Sequence, residues 1–101
     1  MTLHELEAII AARASADPDE SWTAKLLAKG PEKCADKFGE EAIEAIIEAT
    51  KGDTDKLTSE AADVLFHLLV MLKSRGVTLD AVMDELAARQ SQSGLQEKAS
   101  R

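Results

Sequence analysis

The sequence predicts an all-α protein, folded as an antiparallel four-helix bundle of 101 residues. Hydrophobic residues make up 45% of the chain, aromatic residues only 3%, and tyrosine is absent. Alanine and leucine are abundant among the apolar residues, and both favour helices over strands. Apolar positions also recur every three or four residues in several long segments. The connections between these segments are short, which indicates antiparallel neighbours within a single domain, 1–101.

The predicted helices have recognisable start and stop signals. They are expected at roughly 2–15, 31–50, 55–75 and 79–92, with a short helix over 23–29. The first helix ends by Asp17, because a residue before proline avoids helical geometry. Ser21 or Thr23 is expected to cap the short helix, and Gly30 is expected to close it.

The later helix ends are less uniform in the sequence. Pro31 suits the first position of the next helix, because its missing N–H needs no partner there. Gly52 lies in the segment that ends this helix. The following helix begins somewhere between Asp53 and Ser59, and Thr78 is expected to cap the last one.

Two of these helices carry paired carboxylates. Glu41 and Glu44 are three residues apart, and so are Glu60 and Asp63. Residues at this spacing share one helix face, so each pair points the same way. Glu40, four residues before Glu44, adds to the first pair. Like charges this close cost roughly 0.2–0.5 kcal/mol per pair even when exposed, and more in a buried helix.

The second acidic helix is apolar around most of its circumference over 61–72, which is typical of a buried helix. Its polar exceptions, Glu60, Asp63 and His67, fall in one stripe. Buried carboxylates need a partner, and the preceding helix supplies further acids rather than lysine or arginine. An all-oxygen ligand set suits Mg²⁺, with Mn²⁺ as a substitute, better than zinc. A single Glu-x-x-Glu is usually a solvated face, whereas two on adjacent helices favour a metal site.

The apolar residues of the first acidic helix are expected to face the core. They are Ala35, Phe38, Ala42, Ala45, Ile46 and Ala49, widened by Ile43 and Ile47. The second acidic helix is too apolar all round for a small monomer to cover. We therefore expect a homodimer with that helix or its neighbours at the interface.

Composition excludes several classes of function. The net charge of −7, without a basic patch or an aromatic platform, argues against nucleic acid as a partner. The single cysteine, Cys34, forms no internal disulfide and is expected to be a small packing residue. The N-terminus has no pattern of a signal peptide, and no apolar run is long enough for a bilayer. We therefore expect a cytoplasmic protein without a membrane partner.

The predicted metal site indicates phosphate chemistry. Mg²⁺ bound by carboxylates keeps open positions that substrate phosphates usually complete. A glycine-rich phosphate loop is absent from the sequence, so ATP would not be bound as in P-loop proteins. Four lysines border the acidic helix: Lys25, Lys29, Lys33 and Lys37. Lys29 and Lys33 are expected to form a solvated face.

Three stretches carry a resemblance to a known family. They are residues 21–33 (SWTAKLLAKGPEK), residues 38–44 (FGEEAIE) together with 60–72, and residues 93–101 (SGLQEKASR). The acidic motif resembles the MazG-like all-α nucleotide pyrophosphohydrolase superfamily. The Ser-Trp-Thr segment and the Ser-Gly-Leu tail are similar, more specifically, to the phosphoribosyl-ATP pyrophosphohydrolase family of histidine biosynthesis.

The resemblance implies a reaction and its ligand set. An enzyme of this kind uses Mg²⁺ to hydrolyse 1-(5-phosphoribosyl)-ATP to 1-(5-phosphoribosyl)-AMP and pyrophosphate, the second step of histidine biosynthesis. Water attacks between the α- and β-phosphates with help from one of the acids, and which acid is the base stays open. The implied metal ligands are Glu41, Glu44, Glu60 and Asp63, with Glu40 orienting the water.

The resemblance also implies substrate contacts. Trp22 and Thr23 would border the nucleotide or ribose, and Lys25 and Lys37 would contact phosphates. His67 would orient Asp63 or the substrate, although a lone histidine on an apolar helix is more often a core residue. Trp22 equally fits a plug of the core. The next pathway step, opening of the adenine ring, is expected from a separate cyclohydrolase.

Three other functions compete with this interpretation. A general nucleoside triphosphate house-cleaning pyrophosphatase would share the carboxylate site but not the substrate. A non-catalytic helical interaction module would leave the acids merely solvated. A di-iron carboxylate bundle would need paired Glu-x-x-His motifs, and neither His4 nor His67 follows a glutamate by three residues.

Overall fold

The computed structural model describes residues 1–91, and the regular secondary structure of this part of the chain is all helical, without a strand. Its helices are α1 (Leu3–Ala14), α2 (Trp22–Ala28), α3 (Pro31–Lys51), α4 (Thr54–Ser74) and α5 (Leu79–Gln90). The prediction of an all-α helical bundle is therefore confirmed. The tail over 93–101, which contributed to the family resemblance, lies outside the described residues.

Side-chain caps mark the starts of α2, α4 and α5. Ser21, not Thr23, caps α2: its Oγ accepts from the amide N–H three residues later at 3.2 Å. Asp53 caps α4 in the same way at 3.0 Å, which places the start of that helix at the early end of the predicted interval. Thr78 caps α5 at 3.1 Å. Such caps are typically worth about 1 kcal/mol each.

Glycines make the sharp turns on both sides of α3. Gly30, the N-cap of α3, has φ 96°, and Gly52 closes the helix in the left-handed region with φ 78°. Both conformations are strained for residues with a Cβ atom. Because only Gly52 and Asp53 separate α3 from α4, the two helices fold back as an antiparallel hairpin, and they pack along their length.

The hydrophobic core takes residues from every helix: Ile10, Leu26, Cys34, Leu69, Val70 and Leu79. Cys34 is fully buried, and its thiol lies 3.5 Å from the carbonyl oxygen of Leu26. Burial raises the pKa of the Cys34 thiol. The side chain is therefore a neutral packing group, as the sequence indicates.

α3 packs with a different face from the one expected. Its buried residues are Cys34, Glu41 and Glu48, which are seven residues apart and so follow one side of the helix. The expectation that Ile46 faces the core was wrong, because 62% of this residue is exposed. α3 packs against α4 and α2, and Ile43, Ile46 and Ile47 are left exposed.

α4 is also less enclosed than its sequence suggests. Val70 and Leu69 are buried in its second half, but Leu65 is 42% exposed, and Ala61 and Ala62 are exposed as well. A single chain therefore does not cover this helix all round. Among residues 1–91, no helix is long and apolar enough to cross a membrane.

Candidate active site

The α3–α4 hairpin brings three carboxylates together. Glu41 on α3 and Glu60 and Asp63 on α4 each offer an oxygen, and these atoms lie within 4.8 Å of one another. Glu41 is buried, Glu60 is half-buried and Asp63 is exposed. These three residues are called the carboxylate cluster below. The cluster extends from the buried interface between the helices to the solvent.

Glu44 lies beside this cluster, next to Glu60. Burial raises the pKa of Glu60, and the carboxyl group of Glu44, within hydrogen-bonding distance, raises it further. The charges of Asp63 and Glu41 act in the same direction. The buried Oε2 atom of Glu60 has no hydrogen-bond partner among the described residues. A buried acceptor without a donor, surrounded by like charges, is a position that a cation stabilises.

Lys37 is the cation that the protein itself places here. Its ammonium lies 3.2 Å from Glu41 Oε1 and 3.6 Å from Glu40 Oε2. The hydrogen bond with Glu41 raises the pKa of Lys37, so the side chain stays charged. The Glu40 side chain is 65% exposed and lies at the edge of the site, outside the carboxylate cluster.

His67 forms the inner wall of the site, one turn after Asp63. It is buried, its ring packs edge-on against Phe66 at 5.1 Å between centroids, and its Nδ1 has no partner among residues 1–91. Burial lowers the pKa of His67; the carboxylate of Glu41 opposes this shift, and the charge of Lys37 adds to it. A neutral imidazole at the back of the carboxylate cluster is the result.

This burial predicts a pH dependence of folding. The unfolded chain binds a proton at His67 near the ordinary pKa of 6.5, whereas the folded chain resists it. Stability should therefore fall as the pH drops through 6.5 towards the lower pKa of the folded state. Urea unfolding in chelator should show a smaller loss between about pH 7.5 and 5.5 in His67→Gln than in the wild type. His4→Gln, which replaces the other histidine, is the control. If His67→Gln and the wild type lose equal stability over this pH range, the prediction is contradicted.

The structure separates the expected substrate contacts. Trp22 is half exposed and lines the same pocket as Lys37, between α2 and α3. Thr23 is buried, and Lys25 is exposed on α2 without lining this pocket. Trp22 and Lys37 thus lie together beside the carboxylate cluster, whereas Thr23 and Lys25 do not reach this pocket.

Two features were missed by reasoning from the sequence. Lys29 and Lys33 line the pocket with Trp22 and Lys37, although a purely solvated face was expected for them. The four-residue spacing of Lys29, Lys33 and Lys37 was the available sequence signal that they lie on one side. The turn at Gly30 lies between Lys29 and Lys33, however, so helical periodicity does not relate these two residues. The second feature is Glu48.

Glu48 extends the acidic side of α3 beyond Glu44. It is buried, and its Oε1 pairs with Lys51 at 3.2 Å. It shares a pocket of about 370 Å³ with Glu44 and Glu60. The spacing of the glutamates along α3 was the only sequence signal for this placement.

Comparison with known proteins decides the family. Residues 3–90 match the family model described as PRA-PH, phosphoribosyl-ATP pyrophosphohydrolase. The chain belongs to this family. The resemblance seen in the sequence is therefore confirmed.

Relatives of this phosphoribosyl-ATP pyrophosphohydrolase family align with almost the whole chain. The chain is 73% identical over 99 residues to the phosphoribosyl-ATP pyrophosphatase of Ruegeria pomeroyi, covering 98% of this chain and 94% of the relative. The protein of the same name from Dinoroseobacter shibae is also 73% identical, with 98% and 97% covered. The Paracoccus denitrificans protein is 70% identical, with 98% and 92% covered.

Proposed function

We propose that the chain hydrolyses 1-(5-phosphoribosyl)-ATP to 1-(5-phosphoribosyl)-AMP and pyrophosphate, the second step of histidine biosynthesis. The observation that carries this proposal is the carboxylate cluster of Glu41, Glu60 and Asp63, in a chain whose relatives over nearly its full length are named phosphoribosyl-ATP pyrophosphatase. The product would pass to a cyclohydrolase that opens the adenine ring. The proposed location is the cytoplasm, where a thiol such as Cys34 stays reduced.

The proposed cofactor is Mg²⁺, with Mn²⁺ as a substitute. Glu41, Glu60 and Asp63 would hold the ion, and Glu44 beside Glu60 would complete the set. These residues fit a hard cation, because every donor is a carboxylate oxygen and one buried oxygen of Glu60 has no hydrogen-bond partner within residues 1–91. When bound, the ion neutralises phosphate charge and lowers the pKa of a water molecule.

The protein's own residues would complete the chemistry. Glu40 and Glu44 are the exposed acids beside the cluster, and either would accept the proton of the attacking water. Lys37 holds Glu41 in place at 3.2 Å and has further N–H donors for a phosphate oxygen. His67, kept neutral by burial, would exclude water behind the cluster without adding charge.

Pyrophosphate release tests the proposal. With Mg²⁺, phosphoribosyl-ATP should be cleaved with a higher kcat/KM than ATP, dUTP or dCTP, and chelator should abolish turnover until Mg²⁺ is added back. Preference for an ordinary triphosphate would instead assign the house-cleaning function to the same carboxylates. No release from any substrate, without Mg²⁺ binding, would support the non-catalytic module.

We also propose a homodimer through α3. Ile43, Ile46 and Ile47 share one face of this helix and are 59%, 62% and 49% exposed. Burying an isoleucine is typically worth about 1.5–3 kcal/mol, which makes this face costly to leave in water. The radius of gyration, 15.6 Å, also exceeds the value of about 13 Å typical of a compact chain of this length. A second copy of the chain is the proposed partner for this face.

A further inference from the structure

One pocket beside the carboxylate cluster contains basic side chains that the proposed chemistry does not use. We propose that the pocket lined by Trp22, Lys29, Lys33 and Lys37 binds a phosphate group of the substrate that the divalent cation does not hold. This lysine pocket, as it is called below, is a specificity subsite next to the metal site. The inference rests on the proposed function and extends it to substrate selection.

The lysine pocket has the size and position that such a role needs. Its volume is about 600 Å³, within the 300–1,000 Å³ that is usual for small-molecule sites. It lies between α2 and α3, with Lys37 and Glu40 on its border. Since the Lys37 ammonium is 3.2 Å from Glu41, one substrate could contact the lysine pocket and the carboxylate cluster together.

The pocket is lined by more basic than acidic side chains, three lysines against two carboxylates. Lys37 is paired with Glu41 and Glu40, but Lys29 and Lys33 make no ion pair with any residue from 1 to 91. Two acids also line the pocket: Glu40, which is already bound to Lys37, and Asp36. Two lysines that have no ion pair within this part of the chain line the same pocket as a third, and together they form a positive surface that suits an anion.

The first turn of α3 contributes Lys33 to the pocket, and Glu32 of the same turn lies outside the lining. Lys33 lies in the first turn, where the helix dipole is positive and a lysine is unfavourable. Phosphate is a ligand that lysine ammonium groups bind well.

Phosphoribosyl-ATP offers two phosphate groups for this pocket. One is the 5′-phosphate of the ribose attached to adenine, and the other is the terminal phosphate of the triphosphate, which leaves in pyrophosphate. Both are terminal groups that present several charged oxygens. The apolar side of the pocket, which includes Trp22 and Leu26, is suited to the sugar or the base that accompanies either group.

The fluorescence of Trp22 provides a direct test, because Trp22 is the only tryptophan of the chain and lines the pocket. Full-length protein would be titrated in Mg²⁺ with ribose 5-phosphate and, separately, with pyrophosphate. Lys33→Gln should weaken one of the two probes about tenfold, the loss expected for one charge-assisted contact, and Lys29→Gln/Lys33→Gln should weaken it more. Lys73→Gln is the matched control, since Lys73 is exposed at the far end of α4 and lies outside the pocket.

The affected probe identifies the phosphate. A loss confined to ribose 5-phosphate, with KM raised for phosphoribosyl-ATP but not for ATP, assigns the pocket to the 5′-phosphate. A loss for pyrophosphate, with KM raised for both substrates, assigns it to the leaving end. Binding of both probes at the level of the Lys73→Gln control, or no response of Trp22 in the wild type, would overturn the inference.

Failure of the proposed function gives a different result. The titration needs no turnover, so it reports on the pocket even in a protein that does not cleave phosphoribosyl-ATP. A probe that binds through Lys33 without any pyrophosphate release from phosphoribosyl-ATP would support the subsite and contradict the proposed function. Normal turnover of phosphoribosyl-ATP, with probe binding that the lysine substitutions leave unchanged, would support the proposed function and contradict the subsite.

Discussion

Replacing Glu60 with glutamine should lower kcat for phosphoribosyl-ATP hydrolysis by a factor of at least about one hundred, as loss of a metal ligand or of a developing-charge contact usually does. The same change should raise the melting temperature of the metal-free protein. Burial and the neighbouring carboxylates of Glu44, Asp63 and Glu41 all disfavour the charged form of Glu60. A neutral amide of the same shape removes that repulsion.

The experiment compares four proteins in chelator and in Mg²⁺. Glu60→Gln and Asp63→Asn should both lose turnover, and both should lose the stabilisation that Mg²⁺ gives the wild type. Asp84→Asn is the control, because Asp84 is an exposed acid on α5, outside the carboxylate cluster. Unfolding of both site variants without metal would show instead that these carboxylates hold the hairpin together.

Replacing Ile46 with glutamate should convert the proposed homodimer into a monomer. Ile46 lies in the middle of the exposed isoleucine face of α3, and a charge there must be desolvated if two copies are to meet. Opposed copies of the same glutamate would also repel each other in a symmetric interface. The expected result is a halved mass in solution and a melting temperature that no longer rises with protein concentration.

Light scattering coupled to size exclusion measures this change. Met83→Glu is the matched control: Met83 is another exposed apolar residue, 43% accessible, but it lies on α5. It should keep the mass of the wild type. If the wild-type protein is already a monomer, there is no dimer interface. If the dimer tolerates Ile46→Glu but not Met83→Glu, the interface does not lie on α3.

Much of the carboxylate site could be predicted from local sequence. The three-residue spacing of Glu60 and Asp63 places two carboxylates on one helix face wherever that helix packs, and Glu41 and Glu44 approach them from across the hairpin. The short turn at Gly52 leaves α3 and α4 no arrangement but an antiparallel one. Helical periodicity and turn-forming residues act locally, so their effects can be predicted from sequence without knowledge of the tertiary structure.

The sequence alone determined that the chain is all-α, that Thr78 caps the last helix and which family motif it carries. Only the tertiary structure decided which side of α3 turns inward. Helical periodicity fixes the angle between Glu41 and Ile46, but not which of them faces α4. The acidic side can be buried if a cation neutralises its carboxylates, and the isoleucine side can be left out if a second copy of the chain covers it. The same limit applies to Lys29 and Lys33. The turn at Gly30 changes the direction of the chain between α2 and α3. The pocket that Lys29 and Lys33 line therefore exists only once these two helices have packed together.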